Sequence, residues 1–280
     1  MVLSGTLTHM NSPIPFIMQG GEPFFFQGGE IGCLCLHGVT ASPAEVTWLG
    51  EYLAEQGLTV CGPRLAGHGV DPRQLRHLHW QDWYLSALDG YHLLCRHCEQ
   101  VYVAGLSMGG LLTLALGASV PVDGLVVMAA PVIFQSPRRL SNARWIKYLR
   151  PLLHMPDLSG FEARLLEAQK RRGEPPIGRV RYDIWATRAV EELKKLADTV
   201  NDLLPKIAAP TLLLYSEADE TVALANRDHI RSRLGSTLVE THTFQKSSHI
   251  LTQDIEYQDV LQRAGKFIMK VSEAVMHFQA

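Results

Sequence analysis

The segment QVYVAGLSMGGLLTLAL, residues 100–116, decides the fold of this 280-residue chain. Its first part, Gln100–Ala104, is an apolar run typical of a buried strand, and Leu111–Leu116 favours a helix. Between them lies GLSMG, residues 105–109, which matches the pattern G-x-S-x-G. In this context the pattern predicts a sharp turn that lifts the Ser107 hydroxyl above a sheet, at the N-terminus of a helix. The simpler alternative is a glycine-flanked turn with an ordinary capping serine.

Apolar runs rich in Val, Ile and Leu recur on both sides of this segment, and helical patterns alternate with them. The predicted strands are Glu30–Leu36, Leu58–Cys61, Gln100–Ala104, Gly124–Met128, Thr211–Tyr215 and Leu238–Phe244. The other predicted helices are one capped by Ser42 or Thr40 and those over Gln81–Cys95, Ala225–Leu234 and Tyr257–Val275. Nearly uniform apolar strands alternating with helices indicate an α/β fold with a mostly parallel sheet covered on both faces.

One stretch interrupts this alternation. From Val132 to Trp185 no strand is predicted, so we interpret residues 133–185 as a small helical cap inserted in a core of residues 1–132 and 186–280. Of the chain's 26 Lys and Arg the cap holds 11, and of its 28 Asp and Glu it holds five. A solvated charged surface is the simpler interpretation of this basic excess. The alternative is attraction of anionic substrates, or a transient contact with a lipid surface.

Composition excludes several classes of protein. With 46% apolar residues, 19% charged residues and a net charge of −2, the chain is typical of globular proteins, and no nucleic-acid partner is indicated. No apolar run approaches the roughly 20 residues of a membrane-spanning helix, so an integral membrane protein is not predicted. The first 15 residues lack a basic segment followed by an apolar one, which favours a cytoplasmic location. Oligomeric state leaves no signal in the sequence.

The five cysteines are an odd number and favour reduced thiols over a disulfide framework. Cys33 and Cys35 alternate with leucines in a predicted strand, where they act as small apolar residues. Cys95 and Cys98 have the spacing C-x-x-C, but no second pair at metal-ligand spacing accompanies them. We therefore predict no metal site.

A serine hydroxyl is a weak nucleophile and needs a base within hydrogen-bond reach. His249 follows the last predicted strand and is the candidate base. Asp219 follows the strand before it and is the candidate acid, with Glu217 and Glu220 as alternatives. The chain order serine, acid, histidine, each after a strand, supports this assignment. His242 lies within the last strand and is predicted to point along the sheet.

Hydrolysis through a serine also needs preorganised donors for the oxyanion. One candidate is the backbone N–H of Met108, directly after the serine, and the other is the backbone N–H of Val39, after the first core strand. Gly38 has no side chain, which lets an acyl group approach. His37 is predicted to shape this loop and not to act as a base.

The motifs found in this order are PFFF at 23–26, LCLHGVT at 34–40, GHG at 67–69, DW at 82–83, GLSMGG at 105–110, ADE at 218–220 and SH at 248–249. Together they resemble the compact bacterial carboxylesterases related to bacterial monoacylglycerol lipases. The resemblance runs from Phe24 to Phe267 and is weakest in the predicted cap. It implies an α/β-hydrolase fold with a mostly parallel central sheet flanked by helices and a small helical cap.

The same resemblance implies Ser107, Asp219 and His249 as catalytic triad, and Val39 with Met108 as oxyanion donors. The family's usual aromatic residue after the His-Gly pair is Val39 here. A backbone donor is unaffected, but the acyl pocket is expected to be wider or less aromatic. The implied activity is hydrolysis of short- to medium-chain acyl esters of small molecules through an acyl-enzyme, without a metal or organic cofactor.

Gly38 and apolar side chains of the predicted cap are the candidate substrate-binding residues. The cap residues are Ile133, Phe134, Trp145 and Trp185, and packing of the cap on the core is the alternative role for each. Among enzymes, a monoacylglycerol lipase, a thioesterase or a carbon–carbon bond hydrolase would use the same triad. Ser107 argues against dehalogenase and epoxide hydrolase chemistry, which needs an aspartate nucleophile. The alternative from another class is a catalytically inactive binding protein of the same fold.

Overall fold

The computed structural model describes residues 16–134, the backbone of residues 152–154, and residues 160–279 without the side chains of 185 and 276–279. Its strands in these ranges are β1 Phe24–Phe26, β2 Ile31–Leu36, β3 Thr59–Gly62, β4 Gln100–Leu106, β5 Gly124–Met128, β6 Leu152–His154, β7 Ile184–Ala186, β8 Thr211–Ser216 and β9 Val239–Phe244. Its α-helices there are α1 Ala44–Glu55, α2 Trp80–Leu94, α3 Met108–Gly117, α4 Phe161–Arg171, α5 Thr187–Leu203, α6 Ala225–Arg233 and α7 Tyr257–Gln279. Short 3₁₀-helices cover Pro72–Arg76 and Leu204–Lys206.

Seven strands form the central sheet in the order β1-β3-β2-β4-β5-β8-β9. All neighbours are parallel except the edge strand β1, which pairs antiparallel with β3. The carboxyl ends of β2, β4, β8 and β9 therefore share one edge of the sheet, where α/β folds place their ligands. This topology confirms the predicted α/β-hydrolase fold.

Side chains of the sheet alternate between two apolar cores. Leu34 and Leu36 of β2 belong to one core, and Cys33 and Cys35 belong to the other. All four are fully buried, as expected for a parallel strand that helices cover on both faces. The cysteines therefore serve as small apolar residues, as predicted.

Each predicted strand of the sheet is confirmed, with ends displaced by at most two residues. The prediction that Ser42 or Thr40 caps the N-terminus of α1 is wrong. The helix begins at Ala44 after Pro43 and has no side-chain cap. The Ser42 hydroxyl instead donates to the carbonyl oxygen of Val180 (2.9 Å), and Thr40 lies in the left-handed region at φ 63°. Because α1 begins two residues after Ser42, this hydroxyl is not at the capping position, and it makes a distant contact instead.

The expectation of no strand between Val132 and Trp185 is also wrong. β6 and β7 pair antiparallel there, with Leu153 opposite Trp185, and α4 lies between them along the chain. Strands of three residues are too short for alternation to become visible in a sequence. The same reason explains why β1 was not predicted. Across the described ranges, every helix is too short or too polar to cross a lipid bilayer.

Candidate active site

Ser107 occupies the tight turn between β4 and α3. Its backbone lies at φ 58° and ψ −116°, a region that residues other than glycine rarely adopt. The turn is held by the Ser107 N–H, which donates to the Met128 carbonyl oxygen (2.8 Å), and by the Leu111 N–H, which donates to the Ser107 carbonyl oxygen (3.1 Å). The backbone strain and the predicted strand–turn–helix geometry therefore coincide at this serine.

The glycines that flank Ser107 are required by close approach of the backbone. A Cβ atom on Gly105 would overlap the carbonyl group of Gly109, and a Cβ atom on Gly109 would overlap the carbonyl group of Leu36. Both overlaps involve backbone, which cannot move aside as a flexible side chain can. The pattern G-x-S-x-G is thus explained by packing within the turn and against β2.

His249 and Asp219 meet at the carboxyl edge of the sheet. His249 Nδ1 lies 2.8 Å from Asp219 Oδ2. Since a carboxylate only accepts, Nδ1 carries the proton and Nε2 is left as an acceptor. The other carboxylate oxygen of Asp219 accepts the backbone N–H groups of Thr221 (2.7 Å) and Val222 (2.9 Å). Asp219 therefore holds His249 in one orientation and one tautomer.

The environment of Asp219 keeps it ionised. Burial raises the pKa of Asp219, but the electrostatic attraction and hydrogen bond of His249 and the two backbone N–H groups outweigh burial and hold that pKa below its usual value. Glu217 and Glu220, the alternative acids, are exposed, whereas Asp219 is buried. His242 packs edge to face on Phe244, and its Nε2 lies 3.8 Å from Asp259 Oδ2 of α7.

Ser107 and His249 are not joined by a hydrogen bond, unlike His249 and Asp219. Among the described residues, the Ser107 hydroxyl has no hydrogen-bond partner. In unliganded enzymes such hydrogen bonds are often long and tighten only when substrate binds. The structure thus joins Asp219 to His249 directly, and it brings Ser107 to the same edge of the sheet without a hydrogen bond to the histidine.

Two backbone N–H groups near Ser107 are available as donors. Within the described part of the chain, neither the Val39 N–H nor the Met108 N–H meets a protein acceptor. Gly38 packs directly on the serine, since a Cβ atom built on it would lie 3.4 Å from Ser107 Cβ and 2.9 Å from Glu45 Oε2. A side chain at position 38 would therefore crowd the Glu45 carboxylate beside Ser107.

His37 fixes the peptide that carries the Val39 N–H. His37 Nδ1 donates to the Gly38 carbonyl oxygen (2.9 Å), and its Nε2 accepts the Leu65 N–H (3.2 Å). Burial lowers the pKa of His37 to about 4, so the ring is neutral and has one donor and one acceptor. In a trans peptide the N–H points opposite to the C=O, so anchoring the Gly38 carbonyl sets the direction of the Val39 N–H. This is the loop-shaping role predicted for His37.

His68 of the GHG motif packs against the ring of His37. His68 is fully buried, its Nδ1 lies 3.0 Å from the Ala66 carbonyl oxygen, and its ring packs edge to face on those of His37 and Trp83. Gly67 and Gly69 adopt positive φ angles of 72° and 63°, which explains the two glycines.

The predicted pocket residues fall into three groups. Ile133 and Phe134 line a cavity of about 250 Å³ that also borders Asp219 and Val222. The described wall of this cavity does not include Ser107. Trp145 lies outside the described residues, and Trp185 belongs to β7 with its side chain outside them.

Within the described ranges, no three His, Cys, Asp or Glu side chains are grouped so that they could hold a metal ion, and Cys95 and Cys98 are free thiols.

Comparison with known proteins places this geometry in a family. A family model described as serine aminopeptidase, S33, matches residues 32–256, a range that contains Ser107, Asp219 and His249. The chain belongs to this α/β-hydrolase family. It is similar to a thermostable monoacylglycerol lipase from Bacillus sp. (strain H-257), at 30% identity over 91% of this chain and 96% of the relative.

Two further relatives agree with this membership. A carboxylesterase from Bacillus subtilis (strain 168) is 30% identical over 89% of this chain and 97% of its own length. A solved structure from work on LipS and LipT, two metagenome-derived lipolytic enzymes, matches with a TM-score of 0.81 and 27% identity, covering 91% of this chain and 100% of that one. The chain is thus an α/β hydrolase of the carboxylesterase and monoacylglycerol lipase type.

Proposed function

We propose that this chain is a serine carboxylesterase that cleaves small-molecule esters with short- to medium-chain acyl groups through an acyl-enzyme. Ser107 acts as the nucleophile, His249 as the general base and Asp219 as the acid that orients the imidazole. The observation that carries the proposal is the hydrogen bond of 2.8 Å between Asp219 and His249, at the sheet edge where Ser107 stands in a strained turn. The buried, ionised Asp219 and the proton it holds on His249 Nδ1 support these roles.

In the first half-reaction His249 Nε2 takes the proton of Ser107 as Oγ attacks the ester carbonyl carbon. The new C–O bond moves an electron pair onto the carbonyl oxygen, which becomes an oxyanion. The N–H groups of Val39 and Met108 receive this charge, and the N-terminus of α3 adds a favourable dipole. One such donor is worth about 3 kcal/mol of barrier in serine hydrolases.

Collapse of this intermediate breaks the bond to the alcohol. The electron pair returns to reform the carbonyl, and His249 gives its proton to the leaving alkoxide oxygen. A water molecule deprotonated by His249 then attacks the acyl carbon, and Ser107 leaves with the proton. These steps need only protein groups and water, so the proposal includes no metal or organic cofactor.

A monoacylglycerol lipase is the second candidate. It is favoured by the Bacillus relative of that name and by the apolar side chains of Ile133 and Phe134 beside the acid. Both candidates share the same chemistry and differ in the acyl chain and alcohol that the enzyme accepts. A thioesterase, a carbon–carbon bond hydrolase and an inactive binding protein remain the further alternatives from the sequence.

The test is a substrate panel with purified wild type and Ser107→Ala. The panel contains p-nitrophenyl esters from acetate to palmitate, monoacylglycerols, and aminoacyl p-nitroanilides, since the family description names a peptidase. A maximum at short or medium acyl esters, lost in Ser107→Ala, is the expected result. Preference for monoacylglycerols supports the second candidate. Equal inactivity of both proteins on every ester contradicts the proposal and directs the search to thioesters and carbon–carbon bonds.

A further inference from the structure

Glu45 is a buried carboxylate next to the candidate oxyanion donors. It stands in the first turn of α1 and is 3% exposed. Its Oε2 accepts the Gly38 N–H at 2.8 Å, and its Oε1 pairs with Arg179 Nη2 at 2.8 Å. A carboxylate removed from water is costly unless both oxygens find partners, and here both do.

The bond from Gly38 to Glu45 completes the support of residues 37–39, which we name the oxyanion loop. Two peptide planes meet at the Cα atom of Gly38. His37 anchors the following plane through its carbonyl oxygen, and Glu45 anchors the preceding plane through its N–H. With both planes fixed, the freely rotating glycine between them cannot change the direction of the Val39 N–H.

We propose that Glu45 is a positioning residue for the oxyanion site, and that Arg179 holds the Glu45 carboxylate in place. The proposal deepens the proposed function and rests on it for its catalytic consequence. Glu45 does not touch the substrate in this account. It acts through Gly38 on the direction of the Val39 donor, and loss of one preorganised oxyanion donor slows acyl transfer by about 10²- to 10³-fold.

Arg179 belongs to a segment that follows the same loop along its length. We name residues 178–182 the strap. Besides the ion pair of Arg179, the Val180 carbonyl oxygen accepts the Ser42 hydroxyl (2.9 Å), and the Tyr182 N–H donates to the Thr40 carbonyl oxygen (2.9 Å). Three contacts spaced along the strap therefore hold the chain from Thr40 to Glu45.

The strap is in turn fixed to helix α4. Gln169 makes a pair of hydrogen bonds with the backbone of Gly178, accepting its N–H (3.0 Å) and donating to its carbonyl oxygen (3.2 Å). Glu162 accepts the Arg179 N–H at 3.0 Å. Glu45 thus connects the oxyanion loop to a segment inserted between β5 and α5, which is far away in sequence.

Substitutions of Glu45 and Arg179 distinguish a positioning role from a role in packing alone. Glu45→Ala removes the acceptor of the Gly38 N–H, and Glu45→Gln keeps an oxygen acceptor but weakens the pair with Arg179. Arg179→Met keeps an apolar stem without the charge. Glu51→Ala is the matched control, because Glu51 lies on the same helix and pairs with Arg172 (2.6 Å), an arginine of the same inserted segment.

The experiment measures kcat and KM on p-nitrophenyl butyrate, thermal unfolding, and amide hydrogen exchange at Gly38 by NMR. We expect Glu45→Ala to lose about 10- to 100-fold in kcat with KM nearly unchanged. Glu45→Gln and Arg179→Met should lose less, and Glu51→Ala should keep the wild-type kcat. The Gly38 amide should exchange faster in Glu45→Ala than in wild type.

Two outcomes overturn the proposal. One is a folded Glu45→Ala with the kcat of wild type, or with a loss that Glu51→Ala matches. The other is equal exchange of the Gly38 amide in wild type and Glu45→Ala. If wild type cleaves no ester, the proposed function fails, and the exchange measurement still decides whether Glu45 anchors Gly38.

Discussion

Arg164 of α4 binds Asp254 through two parallel hydrogen bonds, from Nε to Oδ1 (2.8 Å) and from Nη2 to Oδ2 (3.0 Å). The same carboxylate accepts the backbone N–H of Ser248 at 2.6 Å and the Ser248 hydroxyl at 2.5 Å. Ser248 directly precedes His249. Asp254 therefore connects helix α4 to the loop that carries His249. In the same way, Glu45 connects the strap, which α4 supports, to the oxyanion loop.

Replacing Asp254 by Ala should weaken both stability and activity. The variant leaves Arg164 without its partner and frees the Ser248 backbone, so we expect a loss of about 3 kcal/mol in the free energy of unfolding. The loop that carries His249 should loosen. We expect kcat to fall roughly tenfold, because even a small displacement of a catalytic group slows the reaction. Urea unfolding and steady-state kinetics measure the two effects.

The control for this variant is Asp259→Ala. Asp259 pairs with Arg263 (3.0 Å) on the exposed side of α7, where ion pairs contribute little. Its free energy of unfolding should stay within about 1 kcal/mol of wild type. Equal losses from Asp254→Ala and Asp259→Ala would contradict the role assigned to Asp254.

Strain at Ser107 should appear as a cost in stability. Its φ of 58° and ψ of −116° suit glycine better than any residue with a Cβ atom. Ser107→Gly should therefore raise the free energy of unfolding by about 1–2 kcal/mol. Ser107→Ala keeps the Cβ atom and should show no such gain, while both variants lose activity. Chemical denaturation of the three proteins measures this, and a Ser107→Gly that is no more stable than Ser107→Ala contradicts the strain.

The buried histidines predict how stability changes with pH. Burial lowers the pKa of His37 to about 4 and that of His68 to about 3, against about 6.5 in an unfolded chain. Below about pH 6.5 the unfolded chain binds more protons than the folded one. This contribution to stability is therefore complete above that pH and is lost as pH falls, by up to about 1.4 kcal/mol per pH unit for each histidine.

His68→Asn tests this slope. The Asn amide can still donate to the Ala66 carbonyl oxygen, but it does not titrate. The free energy of unfolding, measured in urea between about pH 7.5 and pH 5, should fall less steeply in this variant than in wild type. His77→Asn, at an exposed position, is the control and should keep the wild-type slope. Identical slopes in wild type and His68→Asn would mean that the burial of His68 does not govern this pH dependence.

The basic charge of the predicted cap should not steer anionic substrates. Several of its arginines in the described residues pair with acidic groups, among them Arg164 with Asp254, Arg172 with Glu51 and Arg179 with Glu45. Paired charges attract a distant anion weakly, and salt screens the remainder. We expect kcat/KM to change equally with salt for an anionic and a neutral ester of similar size. A steep fall for the anionic ester alone would instead support steering of anions by the cap.

Local sequence signals were enough to predict six of the seven strands described in the central sheet, and the acid–histidine pair. The strand Gly124–Met128 was predicted to the residue, because an uninterrupted apolar run between polar turns leaves few alternatives. Asp219 and His249 each follow a strand of one parallel sheet, so topology alone brings them to the same edge.

Contacts between distant parts of the chain were not predictable in this way. Glu45 and Arg179 are 134 positions apart, and Ser42 and Val180 are 138 positions apart. Neither pair has a spacing or a composition that marks it in a single sequence. Serine is a residue type common at helix caps, and only the folded structure shows that the Ser42 hydroxyl donates to the strap instead. Residues that support the site are therefore harder to find than those that would perform the chemistry.

The covalent adduct formed with p-nitrophenyl diethyl phosphate identifies the nucleophile of this chain. We predict release of about one p-nitrophenolate per chain and a diethyl phosphoryl group on Ser107, found by mass spectrometry of peptides. Labelling should be absent in Ser107→Ala and much slower in His249→Ala. An adduct on another residue, or equal labelling of wild type and Ser107→Ala, would contradict the assignment of Ser107 as the nucleophile.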